Sequence, residues 1–586
     1  MGVPGFFLWL AKNYKGSNFI FSKSKLFKNI EKDNIKKLYD QVSNLDYLLI
    51  DANCLIHPVC FKVLADNPKL KDKEKLEYKM IVATFEYIEK IINYVQPKKG
   101  VYLAIDGVAP VAKIKQQRYR RFKSVNDREL QNNIRKKYEK EIPYFWNNSA
   151  ITPGTLFMRK LHTSINEWAK KFGKKNKLDI IYSSCNVPAE GEHKLLQFIR
   201  NNQKKDINNT YVMYGLDADL IFLVLSTGIE DIFLLREARQ INKKDKSDDL
   251  NFVSMRTMRT CIYDTIHSYI VSNEDFEEEE ILLEKNRIID DFIFICYLMG
   301  NDFLPHLPSV DIYDGGIDYL INKYSDVYLE HQNYIVDKTN KQKINQNMFN
   351  DYLVSISSDE EAILQKHYSK KPKKYGCQSN DEYEKEMFKI ENLNFKIDDP
   401  IKLGSDSLME SRERYYKHYY HLEPEELDNF TKKMSEHYLR GIKWVTEYYF
   451  DKCPSWDWYY PYDHPPFLHD VVQNIVPFKK FKFELGEPLK PYEQLLCVLP
   501  KQSVYLLPKC LHKIMLNLNS SVAHLYPLKF DIDLINKKKY WMGIPILPSL
   551  EINTIKHIFK KYENKLNYQE REMNNITQIV TFKYKK

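Results

Sequence analysis

No Cys-x-x-Cys pair occurs in these 586 residues, and the nine cysteines stand singly. Cys54 and Cys60 flank His57, but two sulfurs and one nitrogen leave a tetrahedral zinc site one ligand short. Isolated cysteines of this kind read as reduced thiols of an intracellular protein, expected in the cytoplasm, with the nucleus as the alternative. No run of about eighteen apolar residues is present, so no membrane span is expected. The opening Met-Gly-Val-Pro-Gly-Phe does not read as a secretory signal, and Phe6 stands where N-myristoylation needs Ser or Thr. Internal repeats are absent. The net charge of +9 is small for the length, so composition names no polyanionic partner and the placement of charge must decide.

What the chain does have is core material. Hydrophobic residues make up 43% and charged residues 28%, a globular balance. Five short apolar runs lie in the first 240 residues: Tyr47–Asp51, Val101–Asp106, Asp179–Ser183, Tyr211–Asp217 and Ile232–Leu235. Most are followed, after a turn, by a stretch with helical spacing. Strands alternating with helices predict an α/β fold, a mixed and mainly parallel central sheet flanked by helices. Residues 241–250 and Glu274–Glu280 are charge-rich and read as a solvated loop and an acidic surface stretch. Helical patterning resumes through Ile288–Met299. The division expected is a first α/β region at 1–330, a polar connector at 331–427, and a second, largely helical block at 428–586 that holds the aromatic run Trp444–Tyr462. Phe582–Lys586 reads as a short basic tail.

Three of the apolar runs lead directly into acids: Asp51, Asp106, and the pair Asp217 and Asp219. In an open parallel sheet, ligands bind beyond the carboxyl ends of the strands, so these carboxylates converge on one crevice. Residues 217 and 219, two apart on an extended backbone, would face the same side. Glu190 and Glu192 follow the fourth run behind Pro188, which suits a helix start. Asp302 follows the helix that ends near Met299. For a single acid, an N-cap or loop-end role is the ordinary reading. Seven acids so placed cannot all stay ionised in one pocket without cations, because like charges raise one another's pKa. Hard divalent ions, Mg²⁺ or Mn²⁺ and two in number, are the natural counter-charge. Two such ions suit phosphodiester hydrolysis.

Just past Asp106, Lys113, Gln117, Arg120 and Arg121 fall at i, i+4, i+7 and i+8, one face of a helix. Such a face can grip a phosphate, Arg with forked donors and Lys as a point charge. A merely solvated basic helix is the alternative on spacing alone.

The sequence resembles the XRN family of 5′→3′ exoribonucleases. The resemblance runs through Met-Gly-Val-Pro-Gly-Phe-Phe, Leu-Ile-Asp-Ala-Asn-Cys-Leu-Ile-His-Pro, Ala-Ile-Asp-Gly-Val-Ala-Pro, Ile-Thr-Pro-Gly-Thr-Leu-Phe-Met, Pro-Ala-Glu-Gly-Glu-His-Lys, Gly-Leu-Asp-Ala-Asp-Leu-Ile, Gly-Asn-Asp-Phe-Leu-Pro-His-Leu-Pro and Ser-Trp-Asp-Trp-Tyr-Tyr-Pro-Tyr. It implies a flap-nuclease-like core and makes all seven acids metal ligands. It makes Lys113, Gln117, Arg120 and Arg121 the grip on a 5′-monophosphate, which excludes capped and triphosphate ends. Asn53 and His57 join the substrate site, with His57 stacking on the first bases together with Trp456 or Trp458. The substrate implied is single-stranded RNA, and RNA over DNA rests on the resemblance alone. The chain is expected to be monomeric, without a membrane, and its decapping or decay partners are left open. A flap-type DNA nuclease and a non-catalytic RNA-binding scaffold are the rival readings. Departures are Ala189 in place of the usual Gly, Val111 in place of a base, and Asp457 between the tryptophans. The resemblance further implies a compact form without long C-terminal extensions. Abundant Lys, Asn, Ile and Tyr point to the AT-rich genome of a protist or a large DNA virus.

Overall fold

The structure, a computed structural model, describes residues 5–17, 19–238, 249–272, 283–312, 315–368 and 376–584. Most of the charge-rich loop, the acidic stretch Glu274–Glu280, the first four residues and the last two lie outside the described residues.

Eight strands build one sheet: β1 (Ile20–Phe21), β2 (Tyr47–Asp51), β3 (Gly100–Ala104), β4 (Asp179–Ser183), β5 (Tyr211–Tyr214), β6 (Ile232–Glu237), β7 (Leu250–Ser254) and β10 (Val580–Phe582). Their order is β1-β7-β6-β5-β2-β3-β4-β10, while β8 (Ile532–Asp533) and β9 (Ile544–Pro545) pair separately. The five apolar runs form the central strands, and β6-β5-β2-β3-β4 are parallel. Strands buried on both faces read as continuous apolar runs, and these do. Leu48 and Ile50 pack on one face of β2 and Leu49 on the other, the alternation a strand imposes.

The antiparallel edges escaped the sequence reading. Leu250, counted with the charged loop, opens β7. The expected basic tail begins inside a strand, because Phe582 belongs to β10, which pairs with β4. That pairing ties the end of the chain to the first region's sheet.

From β2 the chain moves outward to β3 and β4, then returns to β5 on the other side of β2. This reversal opens a crevice beyond the carboxyl ends of the parallel strands. Helix Val111–Lys137 leaves from there. Its residues Ile114 and Phe122 pack with Leu495, Leu511 and Phe559 of the second block in one apolar cluster. The stretch 331–427 contributes helices Gln346–Ser357, Glu360–Tyr368, Glu382–Glu391 and Leu408–Tyr420. Of their residues, Phe349 and Tyr352 enter the main core, and Tyr415 and Tyr416 a smaller one with Met434 and Phe467. Among the described residues no helix is long and apolar enough to cross a membrane.

Candidate active site

Six of the seven predicted acids line one cavity of about 570 Å³: Asp51, Asp106, Glu190, Glu192, Asp217 and Asp219. Lys113, Gln117, Arg120, Arg121, Asn53 and His57 line the same cavity. Asp51 is the last residue of β2, and Asp106 lies two residues past β3. Glu190 caps helix Gly191–Gln203, and Glu192 lies in its first turn. Asp217 and Asp219 share the cavity for another reason than the one expected. β5 stops at Tyr214, and Asp219 opens a helix, so no extended backbone joins the two.

Glycine lets these segments meet. The Gly191 N–H donates to Asp106 Oδ1 at 2.6 Å, and a Cβ on Gly191 would stand 2.7 Å from Asp51 Oδ1. A Cβ on Gly107 would collide with the Val187 carbonyl at 1.8 Å. Across that contact, Gly107 N–H donates to the Ala189 carbonyl and Ala189 N–H to Val108, each at 2.9 Å. Ala189 is held at φ 94°, in the left-handed region that favours glycine. The departure noted at 189 is therefore a strained one, beside Glu190. Ala189→Gly is expected to stabilise the fold by about 1 kcal/mol, the strain relieved less glycine's greater unfolded-state freedom. Denaturant unfolding checks this, and an unchanged or lower midpoint contradicts it.

The acids repel one another. Burial, then Asp106, pushes Asp51 up to about 8. Burial, then Glu190, pushes Asp106 up to about 6, and burial with Glu190 raises Glu192 well above the usual range. One cation relieves part of this: Lys113 Nζ lies 2.7 Å from Glu190 Oε1 and 2.5 Å from Asp302 Oδ2. Burial opposes its charge, but Asp302 and Glu190 hold the ammonium well above its ordinary pKa. Asp302, the seventh acid, is not part of the cavity lining. It accepts from Lys113 and, at 2.5 Å, from Gln116 Nε2. Burial works against its charge, yet Lys113 holds it well below the carboxylate range.

The all-oxygen donor set, with pKa values raised by burial and then by mutual repulsion, fits hard divalent cations by chemistry. Among the described residues, no three acid, histidine or cysteine side chains converge tightly enough to hold an ion as they stand. Lys113 supplies the positive charge in that arrangement.

Arg121 Nη2 donates to Thr152 Oγ1 at 2.8 Å, while Nη1 is buried with no partner among the described residues. Burial, then Arg120, lowers this guanidinium to about 9. Two adjacent arginines, neither facing a carboxylate among the described residues, form a site for an anion. His57 is lowered to about 4 by burial and by Arg120 and Arg121, so its ring faces the cavity neutral at physiological pH.

Several supporting residues carried no role in the sequence reading. Lys194, at the end of the quoted Pro-Ala-Glu-Gly-Glu-His-Lys motif, is buried and donates to Ile105 O at 2.5 Å and Ser184 O at 2.9 Å. It clamps the ends of β3 and β4 behind the acids. Tyr448, from helix Leu427–Phe450, donates to Glu190 Oε2 at 3.1 Å. Arg236 donates to the Asp217 carbonyl at 2.6 Å. Asn53, which the resemblance placed in the substrate site, also supports the acids: its Oδ1 accepts from the Asp106 N–H at 3.1 Å. The tryptophans differ. Trp458 is buried, its ring stacked on Trp444 with centroids 5.2 Å apart. Trp456 is half-buried, and its carbonyl accepts from Val111 N–H at the start of helix Val111–Lys137. Neither lines the cavity with His57. Asp457 pairs with Lys556 at 3.3 Å.

Residues 1–238 match the family model described as the XRN 5′–3′ exonuclease N-terminus, and residues 282–400 and 377–585 match that described as the Xrn1 helical domain. The chain belongs to the XRN family. Relatives include 5′-3′ exoribonuclease 2 of Debaryomyces hansenii, 29% identical over 99% of this chain and 72% of the relative. Another is 5′-3′ exoribonuclease 1 of Homo sapiens, 31% identical over 97% of this chain and 35% of the relative. Among solved structures, the catalytic core of Rad2 with a DNA substrate is similar at 13% identity and a TM-score of 0.26, over 64% of this chain and 80% of that one. That likeness is too slight to bear on function. Both XRN matches fall on the regions that build the cavity: the strands carrying the acids, and the helix carrying Tyr448.

Proposed function

We propose that this protein is a 5′→3′ exoribonuclease that removes 5′-mononucleotides, one after another, from 5′-monophosphorylated single-stranded RNA. One observation carries the reading: a single cavity is lined both by six acids, Asp51, Asp106, Glu190, Glu192, Asp217 and Asp219, and by the cations Arg120 and Arg121. An acid cluster alone supports phosphodiester cleavage anywhere along a strand. Cations in the same cavity fix the distance from a terminal phosphate to the bond that is cut, and so the polarity. The family names point to RNA as the substrate.

Two Mg²⁺ or Mn²⁺ ions, held by the six acids with Asp302, would supply the Lewis acidity for hydrolysis. The chain's own residues do the rest. Arg120, Arg121 and Gln117 seat the terminal phosphate, and the buried Nη1 of Arg121 gains a partner there. Neutral His57 offers a ring face to the first base without adding charge. Lys194 and Asn53 hold the backbone around Asp106 in place. Lys113 lines the same cavity, where the resemblance assigns it to the phosphate, while its ammonium bridges Glu190 and Asp302. The enzyme acts as a monomer in the cytoplasm in this proposal.

The deciding experiment compares RNA bearing a 5′-phosphate, 5′-triphosphate or 5′-hydroxyl with single-stranded DNA, all in Mg²⁺. Preferred degradation of 5′-phosphate RNA is expected, and equal degradation of all ends contradicts the phosphate seat. Metal binding has its own readout. Relieving carboxylate repulsion stabilises the folded state by about 2.7 kcal/mol when Mg²⁺ is at a hundred times its Kd. The melting temperature is therefore expected to rise on replacing EDTA with millimolar Mg²⁺, and no rise counts against the acids as ligands.

A further inference from the structure

The cationic stripe of helix Val111–Lys137 does not stop at Arg121. Ser124, Arg128, Gln131 and Arg135 continue it at steps of four, three and four residues, the spacing of one helical face. From Arg120 to Arg135 the stripe runs about 22 Å at about 1.5 Å per residue. It floors a second cavity of about 630 Å³, which shares Arg120 and Ser124 with the active-site cavity. The far wall is aromatic: Tyr144, Phe145 and Trp541. Phe145 is 44% exposed and Trp541 55% exposed, unusual for large rings. Arg128 lies over the Phe145 ring, 3.6 Å from its centroid. The one acid of the lining, Asp127, is paired with Lys123 at 2.9 Å. Among the described residues, Arg120, Arg128 and Arg135 form no close ion pair, and Arg128 has only its sequence neighbour Glu129 as an acid acting on it.

A cavity of this size has room for a single nucleotide, since small-ligand sites span roughly 300–1,000 Å³. Its chemistry is that of a nucleotide: forked cations for a phosphate, exposed rings for a base. Its position selects which nucleotide. If the terminal phosphate is seated at Arg120 and Arg121, as the proposed function holds, the uncut strand extends toward the acids. The second cavity then lies past the 5′ end, where no intact substrate reaches. The released 5′-mononucleotide, already held by Arg120, does reach it. We infer that this groove is a binding site for the product nucleoside 5′-monophosphate, which moves along the stripe from Arg120 toward Arg128 and Trp541 as the next phosphate takes its place.

The test is equilibrium binding of AMP to the full-length protein in EDTA, with wild type, Arg121→Ala, Arg128→Glu, Trp541→Ala and Trp541→Phe, each checked for an unchanged melting profile. Wild type is expected to take up two AMP molecules. Arg128→Glu and Trp541→Ala should weaken one of them roughly tenfold, and Trp541→Phe should retain it. A single AMP that is lost in Arg121→Ala and untouched by Arg128→Glu or Trp541→Ala overturns the groove while leaving the phosphate seat standing. A single AMP lost only with Arg128→Glu supports the groove and removes the phosphate seat. No binding to wild type overturns both. A 5′-hydroxyl trinucleotide that binds through Arg128 and Trp541 where AMP does not makes the groove a strand-binding surface, and also overturns the inference.

Discussion

Asp51→Asn is expected to raise the melting temperature of the metal-free protein while removing nearly all of its RNA cleavage. Asp51 is 5% exposed and faces Asp106 and Asp217, and burial with their repulsion pushes it up to about 8. In the absence of divalent ions the fold carries an acid it would rather keep neutral. Asparagine has the same shape and can still accept from the Asn53 N–H through its oxygen, now 3.3 Å from Asp51 Oδ1. Removing one of several crowded charges therefore stabilises the apo fold by about 1 kcal/mol or more, a shift of roughly 2 °C. The same change takes away an anionic donor. A misplaced Lewis acid loses several kcal/mol of transition-state stabilisation, about 10³-fold in rate. Melting in EDTA and single-turnover cleavage in Mg²⁺ measure the two arms. The opposed signs are the informative part: a variant that both melts earlier and turns over slowly would mark Asp51 as structural, and one that still cleaves at the wild-type rate would remove it from the site. The Mg²⁺-dependent rise in melting temperature should also shrink in the variant.

Charges crowded for function leave a trace in sequence, and that is why the acids were legible. Asp51, Asp106, Asp217 and Asp219 come just after apolar runs, and the strand ends of a parallel sheet are fixed by those runs. What the sequence could not carry was distance across the fold. Asp302 follows a helix rather than a strand, and its carboxylate sits with Lys113 and Gln116 outside the cavity lining. Lys113 reads on spacing as a phosphate ligand, and the fold instead sets it between two acids. Lys194 was in plain view inside a motif, but only the convergence of β3 and β4 gives its ammonium two carbonyls to hold. The edge strands were missed for a local reason. β1 has two residues and β10 three, too short for any periodicity, and their pairing depends on partners hundreds of residues away. Ala189 is the opposite case: the resemblance shows one unusual residue in a turn, and only the structure adds the backbone strain, at φ 94°.

The double replacement Arg120→Ala and Arg121→Ala is expected to collapse the preference for a 5′-phosphate, lowering kcat/KM on 5′-phosphate RNA by about 10²–10⁴ and bringing it level with 5′-hydroxyl RNA. Hydrogen bonds to a charged group contribute roughly 1.5–3 kcal/mol each, and both guanidiniums line the same cavity. Arg121 is the more committed of the two, since Thr152 fixes one nitrogen and the buried Nη1 has no partner among the described residues. Lysine at 121 is not expected to rescue it. A single ammonium on a flexible stem cannot bond Thr152 and a phosphate at once in the fork that a guanidinium presents. The fold should survive the change and even gain slightly, because burial already lowers Arg121 to about 9 and its neighbour repels it. Side-by-side hydrolysis of the two RNAs at several salt concentrations decides the matter. The variant's rate on 5′-phosphate RNA should lose much of its salt dependence along with its preference, as fewer phosphate contacts release fewer counterions. A variant that keeps the wild-type ratio between the two ends places the terminal phosphate elsewhere and leaves the acid cluster without a gauge for where the strand begins.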